Sequence, residues 1–287
     1  MRFGFLLKRG KPEAREIAAE FGRALRQRGC DLVVLEEDAA VLPEARVVQP
    51  EALGPSIDAL AVLGGDGTLL YGAGLVADHG VPLFGVNLGS LGFMTHYSRA
   101  EALAAIQEAC AGRLPIDERM RLRVTIHDAK GGEGESRSVV NDAVVSQTLA
   151  RLLDLDARLD GAPIAIYKAD GLIVSTPTGS TAYTLAAGGP ILAPDLEAMV
   201  LTPICPHTLT NRPLVVRADA RVTVTNVSDG PVRLTVDGQW GRELGVGEAI
   251  EVRKTDRPLR LFRAPMSFFA LLRQKLSWGE RRGLHQQ

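Results

Sequence analysis

Leu63-Gly64-Gly65-Asp66-Gly67-Thr68 is the stretch whose reading decides the fold. The apolar run before it, with Ile57, Leu60, Ala61, Val62 and Leu63, reads as a buried strand. After it, Leu69, Leu70, Tyr71 and Leu75 are spaced for one face of a helix. The turn therefore lies at the carboxyl end of a strand, where open α/β sheets bind their ligands. Three glycines in four positions permit positive φ and close approach of a ligand to the backbone, and Thr68 is placed to cap the helix with its hydroxyl. The N-H groups of such a turn can cradle phosphate. Asp66 then needs a reason, because a carboxylate in a phosphate cradle repels the ligand unless a metal or a proton transfer uses it. That makes it a candidate general base. An ordinary strand-to-helix turn, in which the aspartate bonds its own backbone, has the same composition.

Outward from this turn the grammar is βαβ. Arg2 to Leu7 reads as a first strand, Pro12 to Arg28 as a helix with Ile17, Phe21 and Leu25 on one face, and Asp31 to Leu35 as a second strand. Residues 38–55, with Pro43, Pro50 and Pro55, read as a connector. A further strand at Val81 to Val86 runs into a second glycine-rich loop, Asn87-Leu88-Gly89-Ser90-Leu91-Gly92-Phe93, beside the first across one crevice; a helix from Ala100 to Ala111 closes the unit. From about Leu114 the period changes to 2, as in Arg121 to Ile126, Arg221 to Thr225 and Arg233 to Val236, which argues for an antiparallel β domain. Ser267 to Leu276 returns to helix, with Phe268, Leu272 and Leu276 on one face. The expected division is residues 1–113 with 264–287 as an α/β domain and 114–263 as a β domain.

Two more clusters carry polar chemistry. Asp170 to Tyr183 takes an apolar strand into a hydroxyl-rich turn and a short helix, capped by Ser180 and ended by Gly188-Gly189-Pro190. Such a helix start suits ribose or phosphate, and equally a well-capped turn. Asn141-Asp142 interrupts the apolar run Val139 to Val145; adjacent strand residues face opposite ways, so one of the two is buried and needs a partner. Amide and carboxylate together can read a ribose diol or an adenine edge, or make a structural hydrogen bond.

Composition excludes several classes. A net charge of -1 gives no field for nucleic acid or an anionic membrane, so a highly anionic ligand needs local positive charge or a metal. No run approaches the roughly 18 apolar residues of a membrane span. Cys30, Cys110 and Cys205 are odd in number with no pair at metal-ligand spacing, which points to a reduced, cytoplasmic setting. The five histidines are scattered, and neither a P-loop nor a Gly-x-Ser-x-Gly elbow occurs. Gly72-Ala73-Gly74 fits the Rossmann fingerprint as letters only, since it falls inside the predicted helix.

With these motifs in order along nearly the whole chain, the sequence resembles the bacterial NAD kinases. The resemblance rests on Gly64 to Thr68, Gly85 to Phe93, Asn141-Asp142, Asp170 to Pro190, Asp237-Gly238-Gln239 and the ending Leu271 to Gly279. The glycine-aspartate turn is shared with lipid kinases and phosphofructokinases; the Asp170 to Pro190 cluster is the specific one. The resemblance implies an N-terminal α/β domain, a C-terminal domain of stacked β sheets, and a final helix that packs back on the first domain. It implies transfer of the γ-phosphoryl of ATP, or of polyphosphate, to the 2′-hydroxyl of the adenosine ribose of NAD, with a divalent metal, magnesium or manganese. It gives Asp66 the role of base. Gly64, Gly65, Gly67, Thr68, Asn87 and Phe93 fall in the two glycine-rich loops of the site. Asn141, Asp142 and Asp170 would hold adenosine and ribose groups, and Thr178, Ser180, Thr181, Ala182, Tyr183, Thr184 and Ala186 would line the NAD site. Arg151, Lys168 and Gln239 would lie at its edge. No residue is assigned as a metal ligand, and a homodimer or homotetramer is implied. Asp142 stands where many members have Glu, one methylene longer, and Lys168 where Arg is frequent, which keeps charge but loses bidentate geometry. The alternatives are a lipid kinase of the diacylglycerol kinase type and a non-catalytic dinucleotide-binding regulator.

Overall fold

The computed structural model of the chain describes residues 1–147 and 152–277. It divides into two units, Met1–Glu118 with Arg260–Gln287, and Arg119–Leu259. The first unit begins β1 (Arg2–Leu7), α1 (Pro12–Arg26), β2 (Asp31–Leu35), β3 (Arg46–Val48), α2 (Pro50–Ser56), β4 (Ala59–Gly64), α3 (Asp66–Val76), β5 (Leu83–Asn87), α4 (Arg99–Cys110) and β6 (Ile116–Arg119). Ile17, Phe21 and Leu25 of α1 are fully buried against Phe3, Phe5 and Val34 of the sheet, as their spacing requires. Burial of such side chains contributes about 1.5–3 kcal/mol each. Gly29, with φ +74°, ends α1.

The second unit contains β7 (Leu122–His127), β8 (Glu133–Val139), β9 (Asp142–Ser146), β10 (Leu153–Leu159), β11 (Ala162–Ala169), β12 (Gly171–Ser175), α5 (Tyr183–Ala186), β13 (Ala198–Ile204), β14 (Leu214–Arg217), β15 (Val222–Asn226), β16 (Val232–Val236), β17 (Trp240–Leu244) and β18 (Ala249–Lys254). The chain then returns to the first unit through β19 (Leu259–Phe262) and α6 (Phe268–Leu276).

The first unit's sheet has seven strands in the order β3-β2-β1-β4-β5-β19-β6, and its pairs from β3 to β19 are parallel. Strand order reverses beside β1, which puts the carboxyl ends of β1, β4 and β5 at the place where such sheets bind ligands. The second unit has two six-stranded antiparallel sheets, β11-β10-β15-β18-β7-β8 and β14-β13-β12-β9-β16-β17. Alternate residues of both, among them Leu122, Val124, Leu155, Val224 and Ile250 on one and Ala143, Val145, Leu172, Leu201 and Leu234 on the other, form one buried core. Period-2 patterning is the cause: one face of each strand is apolar and has only the opposite sheet to cover it.

Several expectations are corrected. The connector at 38–55 contains β3 and α2; Pro50 starts α2, where a missing N-H costs nothing, and Pro55 lies in its last turn. Thr68 does not cap α3, which starts at Asp66 with Gly65 as the residue before it and has no side-chain cap. Gly64, Gly65 and Gly67 do not have positive φ. Ser180 does not cap α5: Ala182 precedes that helix, and Ser180 lies in a turn of 3-10 helix, Gly179–Thr181. Asn141 stands before β9, not inside a strand. In α6 the buried pair is Leu271 and Leu272, and Leu276 is exposed. Cys30 and Cys110, expected to stand unpaired, meet sulfur to sulfur with Cα atoms 7.7 Å apart. That spacing exceeds the usual disulfide range by about 1 Å. Arg151 and the segment from Trp278 onward lie outside the described residues.

Candidate functional site

The first unit presents the Asp66 loop. Neighbouring parallel strands β4 and β5 end together, with Gly64 opposite Asn87, so their loops emerge side by side. Asp66 opens α3, where aligned peptide dipoles favour a negative side chain. Its Oδ2 accepts the Phe93 N-H at 2.7 Å. Its Oδ1 accepts the N-H groups of Met94 at 3.1 Å and Thr95 at 3.0 Å, and the Thr95 hydroxyl at 3.0 Å. A carboxylate offers about four acceptor positions, two on each oxygen; three donors crowd Oδ1, while among the described residues Oδ2 takes only the Phe93 N-H.

Asn87 builds the second loop from within. Its Oδ1 accepts the Gly89 N-H at 2.6 Å, and its Nδ2 donates to the Ser90 carbonyl. Gly92 touches Asp66, and a Cβ there would collide with Asp66 Oδ1 and Thr95 Oγ1. The Phe93 ring lies under Lys275 of α6, with Nζ 4.8 Å from its centroid. Gly64 needs its missing side chain, since a Cβ would meet Thr68 Oγ1 at 2.5 Å; Gly65 and Gly67 face open space.

The second unit presents a pocket of about 360 Å³, lined by Asn141, Asp142, Val144, Ser146, Ala182, Tyr183, Thr235, Asp237 and Gly238. Four of these are predicted site residues: Asn141, Asp142, Ala182 and Tyr183. Asp142 is only 5% exposed. Its carboxyl is pushed up to about 7, first by burial and then by the negative charge of Asp237. Asp237 sits in the β16-β17 turn with φ +52°. Its carboxylate accepts the N-H groups of Val140 at 2.8 Å, Asn141 at 2.7 Å and Asp142 at 3.1 Å, and its own N-H donates to the Asp142 carbonyl at 2.9 Å. Burial raises the Asp237 carboxyl too, against the lowering effect of those amides and of Arg121. Asp237 was quoted in a sequence motif without a role; a carboxylate that bonds amides 96 residues away leaves no local pattern.

Among the described residues, the other predicted ones of the second unit do not line this pocket. Ser180 is fully buried, donating to the Pro177 carbonyl at 2.6 Å and accepting the Leu192 N-H at 2.9 Å. Thr178 and Thr184 are buried, and neither hydroxyl has a hydrogen-bond partner among the described residues. Thr181 donates to the Thr178 carbonyl at 3.1 Å. Asp170 joins β11 to β12, with its N-H on the Ile204 carbonyl. Lys168 on β11, Ala186 and Gln239 are exposed. A Cβ on Gly179 would strike the Asn141 carbonyl, so only glycine lets the hydroxyl-rich turn seat itself against the Asn141 corner.

Comparison with known proteins agrees with this geometry. The family model for the ATP-NAD kinase N-terminal domain matches residues 3–114, and that for the ATP-NAD kinase C-terminal domain matches 141–264. An NAD kinase of Geotalea daltonii is 44% identical over 94% of this chain and 96% of its own length, and one of Moorella thermoacetica is 42% identical over 97% and 90%. Among solved structures, yeast NADH kinase complexed with NADH superposes with a TM-score of 0.92, at 26% identity, over 100% of this chain and 90% of that one. An NAD kinase from Archaeoglobus fulgidus in complex with ATP gives 0.77, at 25% identity, over 97% of this chain and 100% of that one. The lipid kinase and the silent regulator gain no support from these matches. The two halves are matched in order by the two halves of one kinase, and the chain belongs to the ATP-NAD kinase family.

Proposed function

We propose that in this NAD kinase Asp66 receives the proton of the 2′-hydroxyl on the adenosine ribose of NAD while that oxygen attacks the γ-phosphorus of ATP. The new bond joins the ribose oxygen to phosphorus, the bond from phosphorus to the ADP oxygen breaks, and the proton passes through Asp66 to solvent. The observation that supports this role is the uneven loading of the Asp66 carboxylate, three donors on Oδ1 and, among the described residues, the Phe93 N-H alone on Oδ2, which makes Oδ2 the oxygen better placed to take a proton. Phosphoryl transfer asks mainly for positioning and charge neutralisation, and a carboxylate locked by four donors cannot wander.

The glycine-rich loops with Gly64, Gly65, Gly67, Thr68, Asn87 and Phe93 take the donor's phosphates. Asn141, Asp142 and Asp170 take adenosine and ribose. The hydroxyl-rich turn from Thr178 to Ala186 lines the dinucleotide, with Lys168 and Gln239 at its edge. ATP as donor draws support from the Archaeoglobus relative with its ATP. Among the described residues no cluster of three metal-ligating side chains occurs. We infer a magnesium or manganese ion carried in on the donor's phosphates, where it neutralises charge. We further infer a homodimer or homotetramer, for which the exposed Ile166 on edge strand β11 and Leu214 and Val215 on edge strand β14 offer surfaces. A cytoplasmic setting fits these substrates, and no helix among the described residues is long and apolar enough to cross a membrane.

The test is a coupled assay with NAD, ATP and magnesium, reading NADP through an NADP-specific dehydrogenase, on wild type and Asp66→Asn. Product from the wild type, with turnover lost and NAD binding kept in the variant, is the expected result. Absence of product with ATP or polyphosphate from a protein that binds NAD would overturn the kinase reading. Equal loss of binding and turnover would overturn the role of Asp66 as base.

A further inference from the structure

We propose that Asp237 is a positioning residue for dinucleotide recognition: its carboxylate fastens the corner that presents Asn141 and Asp142 to the pocket, and its charge governs how Asp142 meets the ligand. The inference rests on the reading that this pocket takes NAD. Asp237 falls in one of the motifs that carry the family resemblance, which gives it no role; the evidence for one lies in its hydrogen bonds.

Between β8 and β9 the chain turns with three consecutive N-H groups, at Val140, Asn141 and Asp142, and all three end on Asp237. The return bond from the Asp237 N-H to the Asp142 carbonyl makes the attachment reciprocal. Strand pairing continues the attachment, since Val236 stands opposite Ala143 in the β16-β9 ladder. Asp237 holds this geometry from a left-handed backbone conformation that disfavours side-chain-bearing residues, tolerated best by Gly, Asn and Asp. A glycine there would relax the backbone and keep the main-chain bond to Asp142, but lose all three contacts of the carboxylate. What the side chain adds to this corner is therefore its carboxylate.

The second consequence is electrostatic. The titratable groups of the pocket lining are Asp142, Asp237 and Tyr183. Ser175, opposite Asp142 on β12, is neutral, and Arg121, 1% exposed, acts on Asp237. Two carboxyls in one partly desolvated corner resist ionising together. Asp142 therefore gains its charge near neutral pH, and a carboxylate that accepts hydrogen bonds from a ribose diol or adenine amine binds better as it ionises. NAD affinity is expected to rise with pH through about 7.

The experiment measures NAD binding by calorimetry from pH 5.5 to 8.5, and KM for NAD and ATP separately, on the full-length wild type and Asp237→Asn. An asparagine keeps the size but turns an NH2 group toward backbone donors and removes the charge. The expected result is a KM for NAD raised about tenfold, an unchanged KM for ATP, and a pH step in NAD affinity moved to lower pH. A folded variant with wild-type KM for NAD and an unmoved step overturns the proposal, as does an equal rise in both KM values, which marks a merely structural role. If Asp237→Asn does not fold, Asp237→Glu is the substitute, since it keeps the charge and misplaces the oxygens. NAD affinity then falls while the pH step stays in place, and wild-type affinity in that variant overturns the proposal. A wild type that fails to bind NAD overturns the pocket reading and this inference together. A wild type that binds, beside an indifferent variant, overturns this inference alone.

Discussion

Asp66 and Asp237 use one device in two settings. Each carboxylate collects three consecutive backbone N-H groups from a loop distant in sequence, residues 93–95 for Asp66 and 140–142 for Asp237. Around Asp66 the surroundings welcome negative charge: it heads an eleven-residue helix, and a hydroxyl adds a fourth donor. Around Asp237 burial opposes charge, and a second carboxyl, Asp142, shares the corner. Amide clamping alone therefore does not define a catalytic carboxylate. The Asp66 clamp loads Oδ2 with a single donor among the described residues, and the Asp237 clamp holds the corner that brings Asn141 and Asp142 to the pocket lining.

The comparison breaks most visibly at Asp66. Asp66→Asn should lower kcat by about a thousandfold, within the range for losing a general base, while NAD affinity changes by less than about threefold. Single-turnover kinetics beside calorimetry separates the two effects. A comparable loss of affinity would make the two clamps alike in function.

The second effect is on stability. The folded-state ionisation of Asp142 is raised from its ordinary 3.8 to about 7. Its protonated form is thus favoured by folding: the contribution is complete below about pH 4 and is lost as pH rises through about 7. Asp142→Asn should flatten that part of the profile and be the more stable protein at pH 8, by about 4 kcal/mol as an upper figure. Urea melts from pH 4 to 8 measure it, and parallel curves for the two proteins would show that burial in the corner carries no electrostatic penalty.

Each clamped loop also rests on a glycine, and the two should fail differently. Gly92→Ala pushes on side-chain atoms, Asp66 Oδ1 and Thr95 Oγ1, which can move only by disturbing the Asp66 clamp. Gly179→Ala pushes on the Asn141 carbonyl, which is main chain. We expect Gly92→Ala to cost about tenfold in kcat with little loss of stability, and Gly179→Ala to cost about 1–3 kcal/mol of stability through overpacking. A melt and a kcat for each variant check the contrast, and the reverse pattern would contradict it.

The smallest effect belongs to Lys275, whose ammonium lies over Phe93 next to the Asp66 clamp. Lys275→Ala should cost about 0.5–1 kcal/mol and leave NAD affinity alone. A larger change in kcat would extend the first clamp into α6.

Much of this was legible in the sequence, and the exceptions share a cause. Strands and helices that bury a face, such as β4 and α1, announce themselves by period, and the two glycine-rich loops follow from strand ends. Residues 46–56 were misread because prolines were counted as breakers, when Pro50 suits a helix start. Ser180 has the composition of a cap, yet its hydroxyl holds Pro177 and Leu192 together in the interior. Six pocket residues were visible as motif members, four of them as site candidates, whereas Val144, Ser146 and Thr235 look like ordinary strand residues and join the lining only through the sheet. Asp237 needed the fold, because its partners lie almost a hundred positions away.

The chain leaves the first unit after β6 and returns to it only with β19, which inserts between β5 and β6 and sets Leu261 opposite Leu83. During synthesis, β5 therefore waits with one edge unpaired while some 140 intervening residues of the second unit are made. Leu83, Phe84 and Val86, all buried in the finished protein, are at that stage an open apolar edge. A ribosome that stops just short of Leu259 releases a nascent chain with the strands of its second unit made and a first unit whose open β5 edge can pair with the same edge of another unfinished copy. Loss of the last thirty residues is for this protein a hazard of aggregation before it is a loss of catalysis.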